Sequence, residues 1–229
     1  MNLFIIGDVH GCFHTFRDLL TRWNPATDHL IQVGDLVDRG TQSPATVELA
    51  RQLSLEYPDS TTFLRGNHEA GMLRHLGPDG PYSSWLHWGG RGTMFQYRTR
   101  PALLAQHLTW LAKRPLLWQN EHVLVSHAGI SASPDAYDPE STDGLLWARG
   151  PLRQLEGQVQ VVGHTPNPEP YFDPESNTWY LDTGACFGGR LTGLRLTPLG
   201  EVLDLIQVPV APSDLPNPGT FTPISPPNA

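Results

Sequence analysis

The chain has 229 residues, 39% of them hydrophobic, which is enough to fill one sizeable α/β core. A formal charge of −8 and a pI near 5.6 leave no basic stripe for a polyanionic backbone, so nucleic acid is not an expected partner. Cys12 and Cys186 are too few for a disulfide framework, and no run nears the roughly 20 apolar residues that cross a bilayer; the expectation is a cytoplasmic protein without a membrane partner.

Asp8 and His10 follow Met1 almost at once, leaving no room for a removable leader. Asn2 to Ile6 reads as a buried strand that breaks into a polar turn at Gly7 to Gly11. Phe13, Phe16, Leu20 and Trp23 then recur at three- and four-residue spacing, which predicts an amphipathic helix. The unit repeats: strand His29 to Val33, turn Gly34 to Gly40, and a helix carrying Val47, Ala50 and Leu53. A third strand, Thr61 to Leu64, ends at Arg65 to Glu69 with another helix beyond. Three strand, turn, helix units predict a largely parallel sheet, covered on both faces, with its polar groups at the carboxyl ends of the strands.

Gly77 to Arg100 is rich in glycine and aromatics and has no readable period; Trp85, Trp88, Phe95 and Tyr97 there suit a substrate platform or core and lid packing equally. A helix is expected around Ala102 to Ala112, then strands His122 to Val125 and Val159 to Val162, which end at His127 and His164. Trp179 to Leu181, Leu191 to Leu196 and Val202 to Val208 read as closing antiparallel strands. The domain is therefore set at 1–208, and 209–229 is a Pro-rich tail expected to be extended or disordered.

Five polar clusters sit directly after predicted strands: Asp8 and His10, Asp35 with Asp38 and Arg39, Asn67 and His68, His127, and His164. Parallel strands deliver such residues to one sheet edge, where they can converge on metal. Carboxylate, amide and imidazole ligands without thiolate suit Mn, Fe or Zn in a catalytic centre. The set exceeds one tetrahedral shell, so two ions are expected, with Asp35 able to offer one oxygen to each.

Gly7-Asp8-Val9-His10-Gly11, Gly34-Asp35-Leu36-Val37-Asp38-Arg39-Gly40 and Arg65-Gly66-Asn67-His68-Glu69 resemble the signature blocks of the calcineurin-like metallophosphoesterases. Ser126-His127-Ala128-Gly129, Val162-Gly163-His164-Thr165 and Asp182-Thr183-Gly184 extend the likeness over most of residues 1–205. More narrowly the blocks resemble the phosphoprotein phosphatase branch, with its bacterial and phage serine/threonine phosphatases and its diadenosine tetraphosphate hydrolases. The resemblance implies an αββα sandwich of two mixed sheets flanked by helices. It implies one metal on Asp8, His10 and Asp35 and another on Asp35, Asn67, His127 and His164, manganese first, with iron or zinc as alternatives.

On that footing, hydroxide between the cations is the nucleophile. His68 is the general acid, oriented and kept cationic by Asp38, and Arg39 offers a planar fork to phosphate oxygens. Arg149, in Leu146-Trp147-Ala148-Arg149, resembles the branch's further phosphate-binding arginine, with Asn67 and His68 also near the substrate. Arg65 reads as structural support, and Cys12 as a small residue opening a helix. The substrate is expected to be a phosphomonoester, phosphoserine or phosphothreonine in proteins first, with a dinucleoside polyphosphate such as diadenosine tetraphosphate as the alternative.

Overall fold

The computed structural model describes residues 1–216; residues 217–229, most of the expected tail, lie outside the described residues. Strand β1 (Asn2–Ile6) is apolar and buries both faces, with Phe4 and Ile6 in one core and Leu3 and Ile5 in another. A strand apolar on both sides fits only the interior of a layered fold. It pairs in parallel with β2 (Asp28–Gln32), which pairs in parallel with β3 (Thr61–Phe63). On its other side β1 meets β9 (Arg190–Leu196) antiparallel, and β10 (Val202–Pro209) closes that edge. The second five-stranded sheet has the order β4 (Leu117–Gln119), β5 (Val123–Ser126), β6 (Val159–Val162), β8 (Thr178–Tyr180), β7 (Tyr171–Asp173).

The repeated units predict one largely parallel sheet; the structure has two mixed sheets, the layered class implied by the family resemblance. Trp179 to Leu181, read as an antiparallel strand, is corrected: β8 runs parallel to β6 and is antiparallel only to β7. β4 and β7 have three residues each, too few to show an alternation. Leu3, Ile5, Ile31, Val125, Val161 and Leu194 fill the space between the sheets.

Helices α1 (Phe13–Leu20), α2 (Ser43–Glu56) and α3 (Asn67–Leu76) cover the outer face of the first sheet through Phe16, Leu19, Val47, Ala50 and Met72. The unreadable middle is helical: α4 (Ser83–Trp85), a π-turn (Leu86–Gly90), α5 (Arg91–Tyr97) and α6 (Pro101–Leu111). Its periodicity is hidden by a bend at Gly89, whose φ of 128° falls where the chain presses on the backbone of Arg39. Tyr97 bonds His107 at 2.6 Å, and His107 bonds Glu48 at 2.9 Å, tying α5, α6 and α2 together. The turn-rich segment after β5, with Ile130, Ala136, Leu145 and Leu152, packs on the second sheet.

Residues 209–216 are part of the packed domain rather than a free tail. β10 ends at Pro209, a 3₁₀ turn follows at Pro212–Asp214, and the Asp214 side chain is fully buried.

Because the two sheets share one core, they should unfold together. Ile31→Ala removes a buried side chain from that layer and is expected to cost about 2–5 kcal/mol. Urea unfolding followed by far-ultraviolet circular dichroism and by tryptophan fluorescence should give one coincident transition at a lowered midpoint; two separate transitions would mean that the sheets are independent units.

Candidate metal centre and active site

Every candidate ligand follows a strand, and the two sheets bring these ends together. The His164 amide donates to both carboxyl oxygens of Asp8, at 3.2 and 3.1 Å, across 156 residues of chain. Five of the six described non-glycine residues with positive φ are candidate site residues: the candidate ligands His10, Asp35 and His164, with Asp38 and Arg39 beside them. Such conformations cost about 1–3 kcal/mol each and persist only where surrounding bonds enforce them.

Glu69 is one enforcer. Its carboxyl group accepts from the amides of Asp35 (2.7 Å), Leu36 (2.8 Å), Val37 (3.1 Å) and Gly66 (2.8 Å). Sequence reasoning assigned it no role, although Gly66 followed three residues later by Glu69 is a capping-box spacing at the start of α3. Gly66 is needed there, because a β-carbon would overlap Asp35 Oδ1 and the Asp35 amide nitrogen.

Asp35 lies at the centre. Its Oδ1 accepts from the His68 amide at 3.0 Å, and its Oδ2 faces the Nε2 atoms of His10 (3.4 Å), His127 (3.5 Å) and His68 (3.8 Å). Two groups of ligand atoms converge and share this residue: His10, Asp35 and His68, and Asp8, Asp35 and His127. Both groups share Asp35, and they cut across the two ligand sets that the resemblance implies, since Asp8 gathers with His127 and His68 joins His10. Asn67 Oδ1 closes the far side, 2.8 Å from His127 Nε2 and 3.1 Å from His164 Nδ1.

Hydrogen bonds fix which ring nitrogens are free. His10 Nδ1 donates to the Val37 carbonyl (2.9 Å) and His127 Nδ1 to the Val33 carbonyl (3.1 Å), leaving both Nε2 lone pairs directed inward. At His127 that lone pair meets the Asn67 carbonyl oxygen with no proton between them, an arrangement that a cation would relieve. Asp182 adds another buried carboxyl group, with no hydrogen-bond partner for its Oδ2 among the described residues.

The charges point the same way. Burial first, then the Asp182 and Asp35 carboxylates, raise Asp8 well above its ordinary range; burial raises Asp182 and pushes Asp35 up to about 8. Burial lowers His127 to about 4 and holds His10 and His164 well below the usual value. The neutral imidazoles are already in their binding form, and divalent cations would supply the missing positive charge by displacing the protons that burial favours on the carboxyl groups. The residues therefore fit a two-cation centre.

Around it stand the other candidates. His68 Nδ1 donates to Asp38 Oδ2 at 2.7 Å; Trp85 Nε1 donates to the same oxygen at 2.7 Å, and Thr93 Oγ1 to Oδ1 at 2.5 Å. Trp85 and Thr93 come from the segment whose sequence was unreadable. Set against the expected cationic His68, burial and then the Arg39 guanidinium lower its pKa well below the usual value, while burial pushes Asp38 up to about 7. Arg39 donates to His10 Nε2 (2.7 Å) and His68 Nε2 (3.0 Å) and lies over the Phe187 ring at 5.1 Å. Arg149, exposed at the rim, reaches Thr165 Oγ1 at 3.4 Å and is coupled electrostatically to Arg39, Asp35, Asp182 and Asp8. Arg65 instead donates to the carbonyls of Ala112 and Arg114, a structural role. Cys12 sits at the N-cap of α1 with its thiol pushed up by burial.

Comparison with known proteins matches this geometry to a family. The model of the calcineurin-like phosphoesterases covers residues 1–187. The asymmetrical bis(5'-nucleosyl)-tetraphosphatase PrpE of Bacillus mycoides (strain KBAB4) is 31% identical, with 96% of this chain and 98% of that protein covered. Serine/threonine-protein phosphatase 1 of Salmonella typhimurium (strain LT2) is also 31% identical, over 85% of this chain and 92% of its own length. Among solved structures, one titled as a putative diadenosine tetraphosphatase superimposes with a TM-score of 0.61 at 24% identity, covering 92% of this chain and 94% of its own. A serine/threonine phosphatase from Saccharomyces cerevisiae does so at 0.64 and 16% identity, over 95% and 82%. Both superpositions carry the fold alone. With the family model spanning most of the chain and relatives aligned nearly end to end, this protein belongs to the calcineurin-like phosphoesterases.

Proposed function

We propose that the chain is a metal-dependent phosphohydrolase in which Asp8, His10, Asp35, Asn67, His127 and His164 hold two divalent cations. The observation that carries the reading is the single Asp35 oxygen faced by imidazole nitrogens of both ligand groups. When bound, the cations, manganese first and iron or zinc as alternatives, supply a nucleophile at neutral pH by acidifying water. Arg39 and Arg149 then grip phosphate oxygens from two sides, Arg39 through its planar fork. A phosphate dianion on Arg39 also offsets the guanidinium charge that disfavours imidazolium, so His68 gains its proton together with substrate and delivers it to the leaving oxygen. Asp38, anchored by Trp85 and Thr93, holds the ring for that transfer.

Of the two substrate classes, a dinucleoside polyphosphate takes first place and a phosphoprotein second. A cavity of about 360 Å³ opens beside Arg149 and is lined by Leu152, Thr165, Tyr171, Asp173 and Tyr180. Tyr171 and Tyr180 stack at 4.6 Å, giving an aromatic wall suited to a nucleobase. The near end-to-end alignment with the Bacillus enzyme supports the same order, and the Salmonella enzyme keeps the phosphoprotein reading in play.

Kinetics on diadenosine tetraphosphate and on a phosphoserine peptide should favour the dinucleotide by about tenfold or more in kcat/KM, roughly one well-placed contact; the opposite ranking restores the phosphoprotein to first place. His68→Ala should lower turnover of an alkyl phosphate by about 10²–10⁴-fold, with a much smaller effect on p-nitrophenyl phosphate and an unchanged metal content. Equal losses on both substrates would remove His68 as the acid.

Metal removal should invert the pH dependence of stability. With Asp35 pushed up to about 8 from 3.8, the folded state keeps a proton that the unfolded chain has released, so stability falls as pH rises toward 8. His127, lowered to about 4 from 6.5, contributes the opposite slope only below 6.5. Chelator-treated protein should therefore lose thermal stability between about pH 6.5 and 8, and excess manganese should reverse that slope because cation and proton compete for the same oxygens. A chelated protein that gains stability with pH would contradict the site.

A further inference from the structure

We propose that Asp214, near the end of the described chain, is a positioning residue that locks the Arg39 loop in its phosphate-gripping conformation. The inference rests on the reading of Arg39 as a phosphate ligand. Nothing in the family match assigns this segment, since that match ends at residue 187.

The loop needs locking. Asp38 and Arg39 are consecutive non-glycine residues in the left-handed region, at φ 75° and 66°. Two such residues in a row relax unless the chain beyond them is pinned. On the near side the loop is sewn to the first motif: Gly40 N donates to the His10 carbonyl (2.8 Å) and Gln42 N to the Gly11 carbonyl (3.1 Å). On the far side it is sewn to the hook at 211–215. Thr41 N donates to the Asp214 carbonyl (3.1 Å), Thr41 Oγ1 to the Ser213 carbonyl (2.8 Å), and Gln42 Nε2 to Asp214 Oδ1 (3.3 Å).

The hook is itself anchored on α1. No side chain of its own caps that helix, whose N-cap is Cys12. Asp214 supplies the cap from about 200 residues away: Oδ1 accepts from His14 N (3.1 Å), and Oδ2 from Thr15 N (2.8 Å) and Thr15 Oγ1 (2.7 Å). Ala211 N completes the clasp by donating to Thr15 Oγ1 at 2.9 Å. One fully buried carboxyl group thus joins the helix after the first motif to the loop of the second. The guanidinium held at the other end of that loop touches His10 and His68.

The test is a double-mutant cycle on the manganese-loaded full-length chain, read by p-nitrophenyl phosphate hydrolysis and by inhibition with inorganic phosphate. Asp214→Ala should raise KM and the phosphate inhibition constant by about tenfold, the weight of one strong hydrogen bond, while kcat changes by less than about threefold. Arg39→Ala should raise the same two constants. The double variant should then match Arg39→Ala to within about twofold, because one residue acts through the other. Asp214→Asn, which keeps an acceptor for Thr15, should recover part of the loss. Should Asp214→Ala fail to fold, Thr41→Val and Gln42→Ala replace it, since they remove the two side-chain bonds from the loop to the hook and leave the α1 cap intact. Additive losses, or a fall in kcat at unchanged KM, would overturn the positioning role. An Arg39→Ala variant that binds phosphate as the wild type does would overturn the Arg39 assignment and this inference with it, while leaving the metal centre untouched.

Discussion

The turn after β2 hangs on Glu69. Its buried carboxyl group gathers the amides of Asp35, Leu36, Val37 and Gly66 and so dictates where the Asp35 side chain projects. Burial pushes Glu69 up to about 7 despite those four bonds, a cost borne at the base of the site rather than in it. Without that bracket the left-handed Asp35 would relax, and the oxygen faced by three histidines would leave the centre.

Positive charge is scarce inside this centre by construction. Asp8, Asp35 and Asp182 lie together in a buried space whose histidines are held neutral, and the nearest cation is Arg39. Its guanidinium rests against the inward lone pairs of His10 and His68. Arg39 thus borders the proposed ligand His10 and the proposed acid His68 at once, and its loop is bonded to both the first motif and the C-terminal hook. The chain as a whole is acidic, with a formal net charge of −8.

A second set of constraints comes from the helical cover. Trp85 and Thr93 both bond Asp38, and Gln96 bonds the Ser43 amide and the Gly40 carbonyl. The segment 83–97 therefore walls off Asp38 and the loop that carries Arg39, and its aromatics divide accordingly. Trp85 and Tyr97 are core, while Phe95 is exposed and Trp88 packs edge-on against Trp147.

The strands and the polar clusters at their ends, Asp8 and His10, Asp35 with Asp38 and Arg39, Asn67 and His68, His127, and His164, were legible in the sequence. Both are local: an apolar run of four or five residues followed by glycine, acid and histidine is legible without knowing what it will touch. It also showed that five such ends should meet, because parallel strands share a polarity. The split of the strands into two sheets was settled in the folded chain, since three-residue edge strands such as β4 and β7 have no period to read and β8 takes its direction from its neighbours. Which ligand atoms group around Asp35, what holds Asp38, and the reach of Asp214 to α1 were decided there too. Each depends on a contact between residues about 25 to 200 positions apart, and partners at that separation leave no mark in spacing or composition.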